Sequence, residues 1–177
     1  TRSHEFFGQI GEYGKDAGQM IWPSALALDS DDNLYLGDDF LHRITVYDSD
    51  GNLKSTWGTK GSGDGEFDGP SGLLFDSEDN LIVVDHRNHR VQRYTREGEF
   101  MSAWGSYGDG DGQFNLPWGI AQDGEGNLYI ADWRNDRIQK FTSDGEFLAK
   151  FGSSGNGDGQ FNRPSGVGVD SHGNMYV

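Results

Sequence analysis

The feature that most constrains this chain is a repeat with a fixed step of 47 residues. Pro23, Pro70, Pro117 and Pro164 mark it, and they are all the prolines the chain has. Asp29, Asp76, Asp123 and Asp170 keep the same step, as do Asn33, Asn80, Asn127 and Asn174. Two three-fold sets follow it: Asp38, Asp85 and Asp132, and Arg43, Arg90 and Arg137. No insertion interrupts the register. Every unit must therefore solve the same packing problem with the same length of chain.

Each unit reads as four strands. The first is Ala25 to Leu28, matched by Gly72 to Phe75, Gly119 to Gln122 and Gly166 to Val169. One of its faces is small (Ala25, Ala27, Gly166, Gly168) and the other larger (Leu26, Leu28, Leu73, Phe75), as expected where sheets converge and room is short. Gln122 interrupts the apolar face. The second strand (Leu34 to Leu36, Leu81 to Val84, Leu128 to Ile130, Met175 to Val177) is apolar on both faces, so it belongs between neighbouring sheets. The third runs from Arg43, Arg90 and Arg137. The fourth alternates, with Leu53, Ser55 and Trp57 against Lys54 and Thr56, which suits an outer edge guarded against further pairing. Asp50-Gly51, Glu97-Gly98 and Asp144-Gly145 lie between strands three and four as hairpin signals. Four antiparallel strands per unit in tandem predict an all-β fold, a β-propeller.

Composition fits. The chain has 28 Gly and 13% aromatic residues, which suits short strands and tight turns. Its net charge of −15 repels polyanions, and no run of Lys or Arg offsets this, so nucleic acid is not the expected partner. Cysteine is absent, which excludes disulfides and thiolate metal sites and leaves the compartment open. No segment has the pattern of a signal peptide or a membrane span, so no membrane partner is expected.

The third unit carries Gly112-Gln113-Phe114, Pro117-Trp118-Gly119-Ile120-Ala121, Gly126-Asn127-Leu128-Tyr129-Ile130-Ala131-Asp132, Asn135-Asp136-Arg137-Ile138-Gln139-Lys140-Phe141 and Asp144-Gly145-Glu146-Phe147, ending at Phe151-Gly152. This resembles an NHL repeat. The second unit matches through Val84-Asp85-His86-Arg87-Asn88-His89-Arg90-Val91-Gln92, and the first, with Gly37-Asp38-Asp39-Phe40-Leu41-His42-Arg43, is more divergent. The resemblance implies a propeller, commonly six-bladed, that acts as a protein- or RNA-binding platform. A few related propellers, the peptidylglycine amidating lyases among them, are enzymes with a histidine-bound metal on the axis.

The blades are expected at 14–58, 61–105 and 108–152, with a partial blade at 155–177 and an outer strand of a preceding blade within 1–13, where Phe6, Gly8 and Ile10 align with Phe147, Ala149 and Phe151. Three complete blades and an incomplete fourth do not close a ring. Six blades of this period need about 280 residues, so the chain reads as one propeller domain within a larger ring. The rival expectation is a homo-oligomer whose chains complete one ring by pairing exposed edges.

Several groups are candidates for chemistry. Asp38 with Arg43, Asp85 with Arg90, and Asp132 with Arg137 flank the loop between strands two and three. A carboxylate holding a guanidinium fork would fix that turn, so these six residues are assigned a structural role. The loops Gly63-Asp64-Gly65, Asp109-Gly110-Asp111-Gly112 and Asn156-Gly157-Asp158-Gly159 bring acids and glycines together as calcium loops do, but lack a downstream bidentate Glu in register. They read as flexible inter-blade connections. Five histidines occur, and those at equivalent positions (His42, His89) lie on different blades. The lyase histidine set has no counterpart in register, so no cofactor is expected, with calcium or an axial metal as the alternative. No nucleophile elbow or phosphate loop is present, so no catalytic residue is assigned.

Strand direction supplies the binding face. The loop from strand two to three and the connection from strand four to the next unit emerge at the same end of each blade. The units differ most there: Trp22, Gly69, Leu116 and Arg163 before the proline, Ser24, Ser71, Trp118 and Ser165 after it, and Asp39-Phe40, His86-Arg87 and Trp133-Arg134 in the hairpin. Repeated residues build the blade, and differing ones are free to recognise something. Trp22, His86, Arg87, Trp118, Trp133, Arg134 and Arg163 are accordingly the candidate binding residues, since Trp and Arg are favoured at hot spots. The expected function is a non-catalytic binding module for a protein, peptide or glycan. The alternatives are part of a propeller lyase or hydrolase with an axial metal, and a structural self-assembling unit.

Overall fold

Each unit folds as an up-and-down meander because its turns leave little choice. At the end of the third strand, Gly51, Gly98 and Gly145 take φ of +82°, +89° and +86°, where a side chain is strained. The Gly98 N–H donates to Thr95 O at 3.0 Å, and the Thr95 N–H to Glu99 O at 2.9 Å. A tight hairpin results, with a register shift at Arg93/Tyr94 on the strand leading into it. A Cβ on Gly98 would also lie 2.8 Å from the indole of Trp57 on the preceding blade. This glycine serves the turn and the blade contact together.

The structure, a computed structural model, describes residues 8–177. The first complete blade comprises Pro23–Leu28, Leu34–Asp38, Arg43–Tyr47 and Leu53–Trp57. The second comprises Pro70–Phe75, Leu81–Asp85, Arg90–Tyr94 and Phe100–Trp104, and the third Pro117–Gln122, Leu128–Asp132, Arg137–Phe141 and Phe147–Phe151. In each, the four strands are hydrogen-bonded in sequence order. The fourth unit holds two paired strands, Gly168–Val169 and Met175–Tyr176. Its inner strand is shorter than the expected Gly166 to Val169. The expected outer strand within 1–13 falls partly on residues 1–7, outside those described. Gly8 to Gly11 form no strand, and Glu12–Tyr13 pairs in parallel with Gln19–Met20. Ile10 nevertheless lies against Gly51 as Trp57 lies against Gly98, which is its place in the repeat.

The core is a series of interfaces, one between each pair of blades. The second strand of the middle blade serves two of them. Leu81 and Val83 pack with Tyr35, Ile44 and Val46 of the first blade. Ile82 and Val84 pack with Phe114, Leu128 and Ile130 of the third. All four of these strand residues are fully buried. Alternation along a strand thus feeds two neighbours, and each Ile, Leu or Val so buried stabilises the assembly by about 1.5–3 kcal/mol. A third cluster joins Tyr129, Ala131 and Ile138 to Val167, Val169 and Met175.

The inner strands approach closely. A Cβ on Gly119 would lie 2.6 Å from Ser165 O, and one on Gly72 2.6 Å from Trp118 O. Small residues are required there for that reason. Ser24 and Ser71 reach across the same gap: Ser24 Oγ donates to Pro70 O at 2.5 Å, and Ser71 Oγ to Trp118 O at 3.1 Å. Gln122, out of place on an apolar face, donates to Gly126 O at 3.1 Å and closes its own hairpin.

Candidate functional site

The loop face rests on the arginine of the third strand, whose role differs from the one expected. Arg90 donates through Nε to Asp85 Oδ2 at 2.9 Å. Its two terminal nitrogens do not fork onto the carboxylate. They go to the backbone oxygens of Ser62, Gly63 and Glu66 at 2.7–2.9 Å. Arg137 repeats this with Asp132 and the carbonyls of Asp109, Gly110 and Gln113. Arg43 also takes the carbonyls of Lys15, Asp16 and Gln19, but makes no bond to Asp38, and its Nε is buried without a partner. The Asp38–Arg43 pair is therefore not formed. Leu41 and Thr45 stand where the second blade has Asn88 and Gln92, and Asp38 turns instead to the N–H groups of Ile21, Trp22, Phe40 and Leu41. The glycine-rich connections are pinned, not loose, since their carbonyls point at a guanidinium. Burial raises the pKa of Asp132 against the hydrogen bonds it accepts.

The histidines at equivalent positions also have a definite place. His42, His89 and Asp136 are all left-handed, at φ of 53°, 55° and 52°. Each accepts the backbone N–H of the residue before the next unit's proline. Gly69 donates to His42 Nδ1 at 3.2 Å, Leu116 to His89 Nδ1 at 3.0 Å, and Arg163 to Asp136 Oδ1 at 2.7 Å. An imidazole can accept at Nδ1 only when that nitrogen is unprotonated. Burial lowers the pKa of both histidines, outweighing the pull of Asp68 on His42 and of Asp132 and Asp85 on His89. Among the described residues no group of three or more His, Asp or Glu is placed to hold a metal ion.

The seven candidate binding residues fall into two groups. Asp39 and His86 occupy the same repeat position in successive blades and meet across the interface. His86 Nε2 lies 2.9 Å from Asp39 Oδ1, with both side chains about 6% exposed. Arg87 forks onto Asp39 at 3.1 and 2.8 Å and approaches Asp68 at 3.7 Å. Burial opposes the charge on Asp39, but His86 and Arg87 outweigh it and bring its pKa down to about 2. Trp118 of the third blade packs edge-on to the His86 ring at 4.8 Å. Beside this chain of contacts opens a cavity of about 400 Å³, with Trp22 and Phe40 at its walls and Asp39, His42, Lys60, Asp68 and Arg87 completing the lining. Trp22 and Phe40 are 60% and 53% exposed.

The second group is Trp133, with Arg134 at 5.1 Å and Arg163 at 5.2 Å from its ring centroid. Trp133 starts the 3-10 turn Trp133–Asn135, held by Asn135 Nδ2 donating to Asp132 Oδ2 and Gly108 O. A wider cleft of about 520 Å³ lies beside Gln9, Glu12 and Gln19. Among the described residues its lining offers one acid, Glu12, and no base.

Sequence reasoning passed over Asp39, Phe40, His42, Lys60 and Asp68 as site residues. A signal existed for the first: an acid and a base at equivalent positions of adjacent units are placed to pair across a blade interface. Lys60 and Asp68 lie in the long connection, where pattern gives no direction to a side chain.

The comparisons agree with this architecture. Streptogramin B lyase superposes with a TM-score of 0.66 at 17% identity, covering 91% of this chain and 48% of that one. Virginiamycin B lyase from Staphylococcus aureus gives 0.67 at 15%, covering 87% and 47%. A protein of unknown function from Bacteroides thetaiotaomicron gives 0.67 at 24%, covering 85% and 43%. At these identities the likeness is one of fold, and the chain spans about half the length of the structures it matches. No curated protein matches the sequence. The family model described as NHL repeat matches residues 67–94 and 114–141, within the second and third blades. Two units of the chain thus match the NHL repeat, and its units are built as β-propeller blades.

Proposed function

We propose that the chain supplies part of a non-catalytic recognition face, taking a protein, peptide or glycan on the end of the propeller where the strand-two-to-three hairpins emerge. One observation carries this reading. The positions at which the units differ gather on that face, and there Trp22 and Phe40 stand exposed beside a cavity with a charged floor. Exposed aromatics beside fixed polar groups suit a ligand with an apolar face and a hydrogen-bonding edge. The Asp39, His86 and Arg87 bonds hold the floor in place before any ligand arrives, which lowers the ordering cost of binding.

The test is a screen of the chain against glycan and peptide arrays, followed by titration of the hits with a Trp22→Ala, Phe40→Ala variant. Both side chains are exposed, so the variant should retain its thermal stability. It should lose about tenfold or more in affinity. Unchanged affinity for every hit would remove this face as the site.

A further inference from the structure

The arginines among the described residues divide into two kinds. Arg43, Arg87, Arg90, Arg93, Arg96 and Arg137 each donate to a carboxylate or a backbone carbonyl. Arg134 and Arg163 donate from their side chains to no oxygen among the described residues, and both are exposed. In a chain with 29 acids and 14 bases, a guanidinium that meets neither a carboxylate nor a carbonyl stands out. These two come from different units, and the guanidinium carbons of both lie over the same indole, that of Trp133.

Their backbones are held. Trp133 and Arg134 lie in the short turn after the second strand of the third blade, where the Arg134 N–H donates to Asn115 O at 3.0 Å. Arg163 sits at φ 57°, its N–H clipped to Asp136 Oδ1 at 2.7 Å. Asp136 is thus engaged with backbone and does not neutralise the Arg163 guanidinium. Stacking on an indole leaves the donors of a guanidinium, which lie in its own plane, unspent.

We propose that Trp133, Arg134 and Arg163 form a carboxylate-recognition site, and that its ligand is an acidic peptide segment. Planar guanidiniums with free forks match a carboxylate through paired N–H···O bonds. The chain's charge of −15 repels a polyanion at long range, which favours a short acidic segment engaged locally over an extended nucleic acid. A peptide is favoured over an acidic sugar because a sugar needs an open aromatic face, and the Trp133 ring already carries guanidinium groups. This inference rests on the loop face being a recognition surface and names the chemistry of one part of it.

The experiment is calorimetric titration of the chain with three probes at low and moderate salt: a blocked tetrapeptide with two adjacent glutamates, the same peptide with glutamines, and a digalacturonate. The glutamate peptide should bind about tenfold or more tightly than the glutamine peptide, and salt should weaken it. Replacing both arginines (Arg134→Gln, Arg163→Gln) should abolish the difference. The lysine pair (Arg134→Lys, Arg163→Lys), which keeps charge but loses the fork, should restore only part of it. Equal binding of the two peptides, or no binding of either, overturns the carboxylate assignment. So does a preference that survives the glutamine variant or is fully restored by lysine. Tighter binding of the digalacturonate overturns the peptide assignment. None of these outcomes bears on the cavity at Trp22 and Phe40, whose variant tests the wider reading separately.

Discussion

The first and second complete blades have the same repeat length and the same strand order, yet they are wired differently. In the second, Asp85 is fully buried and gathers Arg90, Asn88, Gln92 and the Asp68 N–H within 2.7–3.1 Å. In the first, Asp38 is equally hidden but accepts backbone N–H groups alone, and the Arg43 Nε has no partner. What the two share is the capture of three carbonyls of the incoming connection by one arginine. That capture, and not the Asp–Arg pair, is the common requirement of the blade. The side-chain network is an addition that the first blade does without.

The largest expected consequence separates the two arginines. Arg90→Ala strips a buried carboxylate of its cation and frees three carbonyls, and should cost about 3–5 kcal/mol in denaturant unfolding. Arg43→Ala frees the carbonyls but leaves Asp38 satisfied, and should cost about 1–3 kcal/mol. Equal losses would erase the distinction between the blades.

Leu26 and Leu73 hold the same place in the repeat. Leu73 is 7% exposed in the interface with the first blade, whereas Leu26 is 67% exposed among the described residues. Leu73→Ala should cost about 2–4 kcal/mol, and Leu26→Ala within about 0.5 kcal/mol in this chain. A comparable cost at Leu26 would mean that its face is covered in solution.

Acid should act on the first two blade junctions and spare the third. His42 and His89 have pKa values held below the ordinary value near 6.5. The unfolded chain therefore binds protons more readily. The stability their neutral forms provide is complete above about pH 6.5 and is lost as pH falls through the lowered pKa. His42→Asp with His89→Asp copies the Asp136 clip and should flatten the melting temperature across that window. A slope unchanged by these substitutions would remove the histidines as its cause. The smallest effect expected is a gain: Leu41→Asn with Thr45→Gln installs the second blade's network in the first, and should add about 1 kcal/mol.

Most of the fold was legible in the sequence because the repeat makes each unit testify for the others. The apolar second strand, Leu81 to Val84, announced burial on both faces, and the small face of the inner strand announced close approach, although the structure shows it at Gly72 and Gly119 and not at Gly166 or Gly168. The Asp–Gly dipeptides placed the hairpins. The polar assignments were harder to read. A conserved step of Asp and Arg cannot say whether a guanidinium meets a carboxylate or a row of carbonyls, because backbone acceptors leave no mark on residue identity. The same blindness hid the clip at His42 and His89, whose partner is an amide. At the candidate site, the sequence named the aromatic and cationic residues but not their grouping. Arg87 is occupied by Asp39 and Arg134 is not, and only the position of the acid in space decides that.

The same two repeat positions, the left-handed residue before the third strand and the residue before the next unit's proline, meet across successive blade junctions. Scalar coupling through the hydrogen bond, observed by NMR between backbone nitrogen and imidazole Nδ1, tests this directly. Couplings from Leu116 to His89 and from Gly69 to His42, present at neutral pH and lost on acidification, are the result predicted. Absence of both at neutral pH, with Nδ1 protonated in either ring, would contradict it.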